Sequence, residues 1–211
     1  MICFTDNDIL HKLAAFDLWE EARAVLSVSP KQVLLLPTAP FALGLNDPAK
    51  AIARHGTALA SRLQETVTAS LTVEESPAVD DQIALAGVLG IDQGEAILIA
   101  LASRSPPAML LTGDKRSLRA LATEPACKPI VERLAGRVVV LEQVVRAIVT
   151  TYPFEIIRDK VVPAVAVDTA IRAVWGSGAL ARRADVLAGL DAYIQDLRGQ
   201  TGRLLRTYDG R

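Results

Sequence analysis

The chain has 211 residues, of which 51% are hydrophobic and only 4% aromatic, so it is long enough to bury a large aliphatic core. Its 23 basic and 24 acidic side chains give a net charge of −1, which excludes a uniformly basic surface but not a local one. The two cysteines are isolated, which argues against disulfides or structural zinc. We expect a cytoplasmic protein without a signal peptide or a membrane span.

Apolar strands alternate with helical patterns along the first two thirds of the chain. The predicted strands cover residues 1–5, 32–38, 108–114 and 136–142. Apolar residues at helical spacing predict helices over 9–26, 48–67, 79–90, 92–104, 115–123 and 143–152. This alternation predicts a three-layer α/β/α fold with a mostly parallel central sheet.

The remainder of the chain contains no further strand pattern. Helical spacing covers residues 167–175 and 181–205. We therefore divide the chain into an α/β domain over 1–150 and a helical C-terminal extension over 151–211. The Ala- and Leu-rich extension is also a candidate surface for a homodimer.

Three carboxylates fall at related points of this pattern. Asp6 follows the first strand, Asp114 ends the third, and Glu95 lies in the first turn of an apolar helix. Residues just past the carboxyl ends of neighbouring parallel strands converge on one crevice. Two carboxylates about 5 Å apart repel by roughly 3 kcal/mol at an effective dielectric of 20, so such a cluster needs a raised pKa or a cation. Oxygen-only ligands favour Mg²⁺ or Mn²⁺.

Two further aspartates are interpreted as helix caps that support this site. Asp8 is predicted to be the N-cap of the first helix. Asp92 and Glu95 have the spacing of a capping box with Asp in the Ser/Thr position. The capping box also explains Glu95 without a metal, so both interpretations of Glu95 stay open.

The turn around Asp114 carries the remaining candidates. Thr112 is a candidate for holding the turn. Lys115 and Arg116 follow the carboxylate directly, where they would contact RNA phosphates or form a solvated helix face.

Three segments together resemble the motifs of PIN domains, in the order found in that family. They are "FTDNDILHKLA" (4–14), "DQGEAILIALA" (92–102) and "LLTGDKRSLRAL" (110–121). The resemblance implies an α/β fold and a Mg²⁺- or Mn²⁺-dependent ribonuclease with metal-ligand roles for Asp6, Glu95 and Asp114. For toxin members of toxin–antitoxin pairs, it also implies an antitoxin-like protein partner. We expect single-stranded or looped RNA as the substrate, because its backbone can enter a narrow crevice.

One motif of the family is absent. PIN domains usually place another acidic residue after the second strand, but here "PTAPFALGL" (37–45) has Ala42 near that point. The acidic residues that are candidates to compensate are Glu74, Glu75, Asp80 and Asp81. A metal site with fewer carboxylate ligands favours the alternative of a non-catalytic PIN-like scaffold that binds a partner or nucleic acid.

A second alternative is a haloacid-dehalogenase-like phosphatase. "ICFTDND" (2–8) resembles that family's strand-Asp-x-Asp motif, in which Asp6 would be the nucleophile and Asp8 the general acid/base. Against it, the segment after Asp114 is basic and apolar, and Glu95 would have no role.

Overall fold

The computed structural model of the chain describes residues 1–74 and 76–207. Within these residues, five strands form one parallel sheet in the order β3-β2-β1-β4-β5. The strands are β1 (Cys3–Thr5), β2 (Val33–Leu35), β3 (Leu71–Thr72), β4 (Met109–Thr112) and β5 (Val138–Val140). The four predicted strands are present, shorter than predicted, and β3 is an addition. The predicted α/β fold is confirmed.

Helices cover both faces of this sheet. Those in the described residues are α1 (Asn7–Ala15), α2 (Trp19–Leu26), α3 (Ala39–Ala42), α4 (Pro48–His55), α5 (Thr57–Ala69), α6 (Val79–Leu85), α7 (Gln93–Arg104), α8 (Lys115–Thr123), α9 (Lys128–Leu134), α10 (Leu141–Thr151), α11 (Phe154–Val161), α12 (Thr169–Val174) and α13 (Arg183–Thr201). This arrangement confirms the three layers.

Alternating side chains of the strands build two separate hydrophobic clusters. Cys3 and Leu111 point to one face, where α1, α2, α5 and α10 pack. Phe4 and Leu110 point to the other face, where α7, α8 and α9 pack. The two-residue period of a strand produces this division, because successive side chains lie on opposite sides of the sheet.

The strand order places a topological switch point between β1 and β4. The chain continues from β1 to β2 and β3 on one side, and returns as β4 on the other side of β1. Thr5 pairs with Leu111, and the N–H of Asp6 donates to the Leu111 carbonyl at 2.9 Å. Ligand sites of open parallel sheets lie at such a crevice, outside the carboxyl ends of the strands.

Two predicted helices are interrupted. The pattern over 9–26 becomes α1 and α2, because the chain turns at Asp17, which has a φ of 55°. The pattern over 48–67 is divided at Gly56, whose φ of +76° suits glycine. The start of α4 is confirmed, since the Asp47 carboxylate accepts hydrogen bonds from two N–H groups of its first turn.

The helices after Tyr152 pack into the same two clusters as the sheet. Ile157 and Leu190 belong to the first cluster and Leu197 to the second. Contrary to the purely helical prediction, Leu205 forms an isolated parallel bridge with Val138 of β5. In the part of the chain that the structure describes, no helix has both the length and the apolar character needed to cross a membrane.

A buried ion pair joins α8 to α10. The Lys115 ammonium contacts the Glu142 carboxylate, whose side chain is only 1% exposed. The same ammonium lies 5.7 Å from the centre of the Tyr193 ring on α13. A buried carboxylate is costly without a cation, so Lys115 stabilises this packing.

We predict that Lys115→Met destabilises the fold by about 3–5 kcal/mol, because it leaves the Glu142 charge buried and unpaired. The double variant K115M/E142L should recover most of that loss, since an apolar pair needs no charge compensation. Urea unfolding followed by circular dichroism measures both. Lys50→Met, which removes an exposed pair with Asp47, is the control. Equal losses in K115M and K50M would contradict the prediction.

Candidate functional site

Asp6 lies where β1 passes into α1. It precedes the first helical residue, Asn7, and has the extended backbone of an N-cap. Burial is the main cause that raises the pKa of Asp6 to about 6, and the charges of Asp8 and Asp92 add to it. The N–H groups of Asn7 and Asp8 partly offset this effect. The protonated form of Asp6 is therefore more favoured than that of an ordinary aspartate.

The prediction that Asp8 is the N-cap is wrong. Asp6 occupies the cap position, and Asp8 lies in the first turn, where its carboxylate pairs with Lys12 at 2.6 Å. A Cβ atom on Gly113 would collide with the Asp8 carboxylate. The Asp8 carboxylate therefore lies against the loop that leads to Asp114 and would have to move if position 113 carried a side chain.

Asp92 and Glu95 form the predicted capping box at the start of α7. The Glu95 carboxylate accepts from the Asp92 N–H, and Asp92 accepts from the Glu95 N–H, both at 2.8 Å. Burial raises the pKa of Glu95 to about 8. The hydrogen bond from Asp92 opposes this rise, whereas the charge and hydrogen bonding of Asp114 and the charge of Asp92 reinforce it. Glu95 and Asp114 are thus close enough to interact directly.

Asp114 caps α8 and is held by its own turn. Its N–H donates to the Thr112 hydroxyl at 3.1 Å. Its carboxylate accepts from the N–H groups of Arg116 at 2.7 Å and Ser117 at 3.0 Å. Thr112 therefore occupies the turn-holding position that the sequence indicates.

Asp6 and Glu95 line one small cavity at the switch point. The cavity has a volume of about 10 Å³ and is also lined by Leu98, Ile99, Leu110, Thr112 and Ser117. A space of this size is close to the minimum for one water molecule. Ser117 was not among the predicted residues, because a serine one turn into a helix has no sequence signal of its own.

The three predicted carboxylates thus lie at the carboxyl ends of the strands. Asp6 and Glu95 line the same cavity, and Glu95 interacts with Asp114. Within residues 1–74 and 76–207, however, no three His, Cys, Asp or Glu side chains are arranged as a ready metal-binding group. Glu95 and Asp114 each commit a carboxylate oxygen to a helix N-terminus. Gathering all three around one ion requires their side chains to reorient.

The two predicted RNA contacts have different surroundings. Lys115 turns inward to Glu142 and is 21% exposed. The Arg116 guanidinium lies 3.6 Å from the Asp114 carboxylate and is 74% exposed. Of these two, Arg116 is the side chain that solvent and a ligand can reach.

The acidic residues proposed to compensate for Ala42 lie elsewhere or outside the described residues. Buried Asp81 pairs with Arg133 at 2.6 Å and also contacts Arg104. Asp80 pairs with Arg104. Glu74 is exposed, and Glu75 lies outside the described residues.

We predict that Glu95→Gln stabilises the metal-free protein at alkaline pH. The pKa of Glu95 is raised to about 8 from 4.5, so the unfolded chain loses this proton first. Stability of the wild type therefore falls as pH rises from about 4.5 to 8, and E95Q removes that loss. Since one pKa unit corresponds to about 1.4 kcal/mol, this shift sets an upper limit of roughly 5 kcal/mol. Solvent screening and local relaxation reduce it, and we expect a gain of roughly 1–3 kcal/mol at pH 9.

Urea unfolding in EDTA at pH 5 and pH 9 measures this difference. Glu132→Gln on α9 is the control, because that glutamate is exposed. An E95Q variant that is no more stable than wild type at pH 9 would contradict the raised pKa.

Comparison with models of known families, with curated proteins and with solved structures found no match to this chain. The assignment to PIN domains therefore stays a prediction, based on three sequence motifs and on the site that they form.

Proposed function

We propose that the protein is a metal-dependent ribonuclease of the PIN type. The observation that carries the proposal is the concentration of carboxyl groups at the switch point of a parallel sheet. Asp6, Glu95 and Asp114 are distant in sequence. Burial and the charges of Asp8 and Asp92 raise the pKa of Asp6. Burial and the charges of Asp114 and Asp92 raise the pKa of Glu95. Clusters of perturbed acids in a crevice are typical of functional sites.

The chemistry of the donor groups fits Mg²⁺ or Mn²⁺. The cavity offers carboxylate and hydroxyl oxygens, and its lining residues include no histidine or cysteine. Asp6, Glu95 and Asp114 would hold the cation. When bound, such an ion lowers the pKa of a water molecule and neutralises charge on a phosphodiester.

The side chains of the protein itself would prepare this site. Thr112 fixes the turn that presents Asp114. Glu95 holds a proton at neutral pH, and this proton must leave when the carboxylate becomes a ligand, so metal affinity should rise with pH up to about 8. Arg116 would contact the RNA backbone beside Asp114. A narrow crevice suits a single strand or a loop better than a duplex.

The alternatives stay predictions. A phosphatase would use Asp8 as general acid/base, but the Asp8 carboxylate is paired with Lys12 and packed on Gly113. This arrangement favours the nuclease interpretation. The antitoxin-like partner follows from the family resemblance alone, and the homodimer follows from the composition of the C-terminal extension.

We predict that saturating Mn²⁺ stabilises the wild type and not Asp6→Asn. A ligand at about 100 times its dissociation constant contributes about 2.7 kcal/mol, which corresponds to a rise of roughly 5–10 °C in Tm. The same ion should support cleavage of a single-stranded oligoribonucleotide, and D6N and D114N should each reduce the rate by at least about 100-fold, since even supporting groups around a metal contribute up to that amount. Scanning calorimetry and gel analysis measure the two effects.

Asp159→Asn on α11 is the matched control, because it removes an exposed carboxylate. A wild type that neither gains stability with Mn²⁺ or Mg²⁺ nor cleaves RNA would contradict the proposal and favour the scaffold. Transfer of a phosphoryl group to Asp6 from a small phosphate ester would favour the phosphatase.

A further inference from the structure

Three basic side chains gather between α1 and α4, outside the carboxylate site. The rings of His11 and His55 have their centres 5.3 Å apart, tilted by 51°. Arg54 precedes His55 at the end of α4. The charge of Arg54 also acts on His11, so the three groups share one electrostatic environment.

Two of these side chains are held by the loop after α3. The His55 Nε2 atom lies 2.8 Å from the Leu43 carbonyl oxygen and donates its hydrogen there. The Arg54 guanidinium lies over Gly44, where a Cβ atom would come within 3.0 Å of Nη1. Gly44 has a φ of +71° and no side chain, which makes this approach possible. The cluster is therefore pre-organised.

The cluster has no carboxylate partner, so the guanidinium charge of Arg54 is not neutralised by an ion pair within the described residues. Among residues 1–74 and 76–207, no carboxylate forms an ion pair with His11, Arg54 or His55. Burial is the main cause that lowers the pKa of His11, and the positive charges of His55, Arg54 and Lys12 add to it, opposed by Asp8. A bound anion would relieve this repulsion.

The cluster lies beside the segment where the acidic family motif is missing. That segment is α3, and its exposed face presents Phe41, whose side chain is 76% exposed. His11 is one helical turn from Asn7, which begins α1 directly after Asp6. The cluster and the exposed Phe41 ring are thus carried by α1, α3 and α4, which follow β1 and β2, and Asp6 also lies at the end of β1. Single-stranded RNA is bound by this combination, phosphates by basic groups and bases by aromatic stacking.

We propose that His11, Arg54 and His55 form a binding site for a backbone phosphate of single-stranded RNA. The proposal deepens the ribonuclease function and rests on it for the identity of the ligand. The cluster would hold the strand beside the carboxylates, in the place where other PIN domains have an acidic residue.

The test is binding of a fluorescein-labelled octauridylate in EDTA, measured by anisotropy at several salt concentrations. Arg54→Gln should weaken binding by about tenfold, since it removes a charged hydrogen-bond donor. The slope of log K against log salt should fall by about 0.7, the value for one phosphate contact on a single strand. Lys31→Gln is the control, because Lys31 is exposed and lies just before the amino-terminal end of β2, away from the carboxyl ends of the strands.

Ring resonances of the histidines give a second measurement that does not depend on a variant folding. Addition of octauridylate should shift the His11 and His55 signals and raise the pKa of His11, and H11Q should weaken binding at pH 6 more than at pH 8. Binding equal to wild type in R54Q, or unchanged histidine signals, would overturn the proposal. RNA binding that depends on Arg54 without any cleavage would support the phosphate site and count against the ribonuclease.

Discussion

The parallel pairing of β1 with β4 sets the geometry on which the candidate site depends. Their shared register brings the residues after Thr5 next to those after Leu111. Asp6 and the Thr112–Asp114 turn are therefore neighbours, although more than a hundred positions separate them in the chain. α7 adds Glu95 from above this edge through its contacts with β1 and β4. The backbone pairing of β1 with β4, rather than a contact between side chains, brings Asp6 and the Thr112–Asp114 turn together.

Two lysines near the crevice are paired with carboxylates other than those that line the cavity. Lys12 contacts both Asp8 and Asp168, and Lys115 contacts Glu142. These pairs connect the C-terminal helices to the elements that carry the site. Neither lysine pairs with Asp6 or Glu95, and of these two carboxyl groups Glu95, whose pKa is raised to about 8, keeps its proton at neutral pH. A divalent cation would replace that proton and remove the repulsion.

The predictable parts of the structure were those that local chemistry determines. Asp6 and Asp114 follow apolar strands, and the capping box of Asp92 and Glu95 has its own spacing. The prediction for Asp8 failed because Asp6 satisfies the same preference two residues earlier. Ser117 and β3 depend on tertiary packing: the first lines a cavity closed by other elements, and the second pairs only with β2. Neither Ser117 nor β3 has a hydrophobic periodicity in the sequence from which it could be predicted.

The cluster of His11, Arg54 and His55 was also beyond sequence patterns, because it is formed by a loop that folds back on α1. His11 is 43 positions from Arg54 and 44 from His55, and glycine at position 44 is what admits the arginine. Ala42 lies in α3, directly before Leu43, whose carbonyl oxygen accepts the hydrogen bond of His55.

The bridge between Leu205 and Val138 has a consequence for how the sheet meets other chains. Backbone groups of residues 203–206 occupy the outer side of β5, so intruding strands find no free hydrogen-bonding row there. At the opposite edge of the sheet, β3 is two residues long, so it has too few backbone N–H and C=O groups to pair with an added strand. Both edge strands of the sheet are thus protected against edge-to-edge aggregation. Residues 203–206 cover β5, and β3 is too short to pair with another strand.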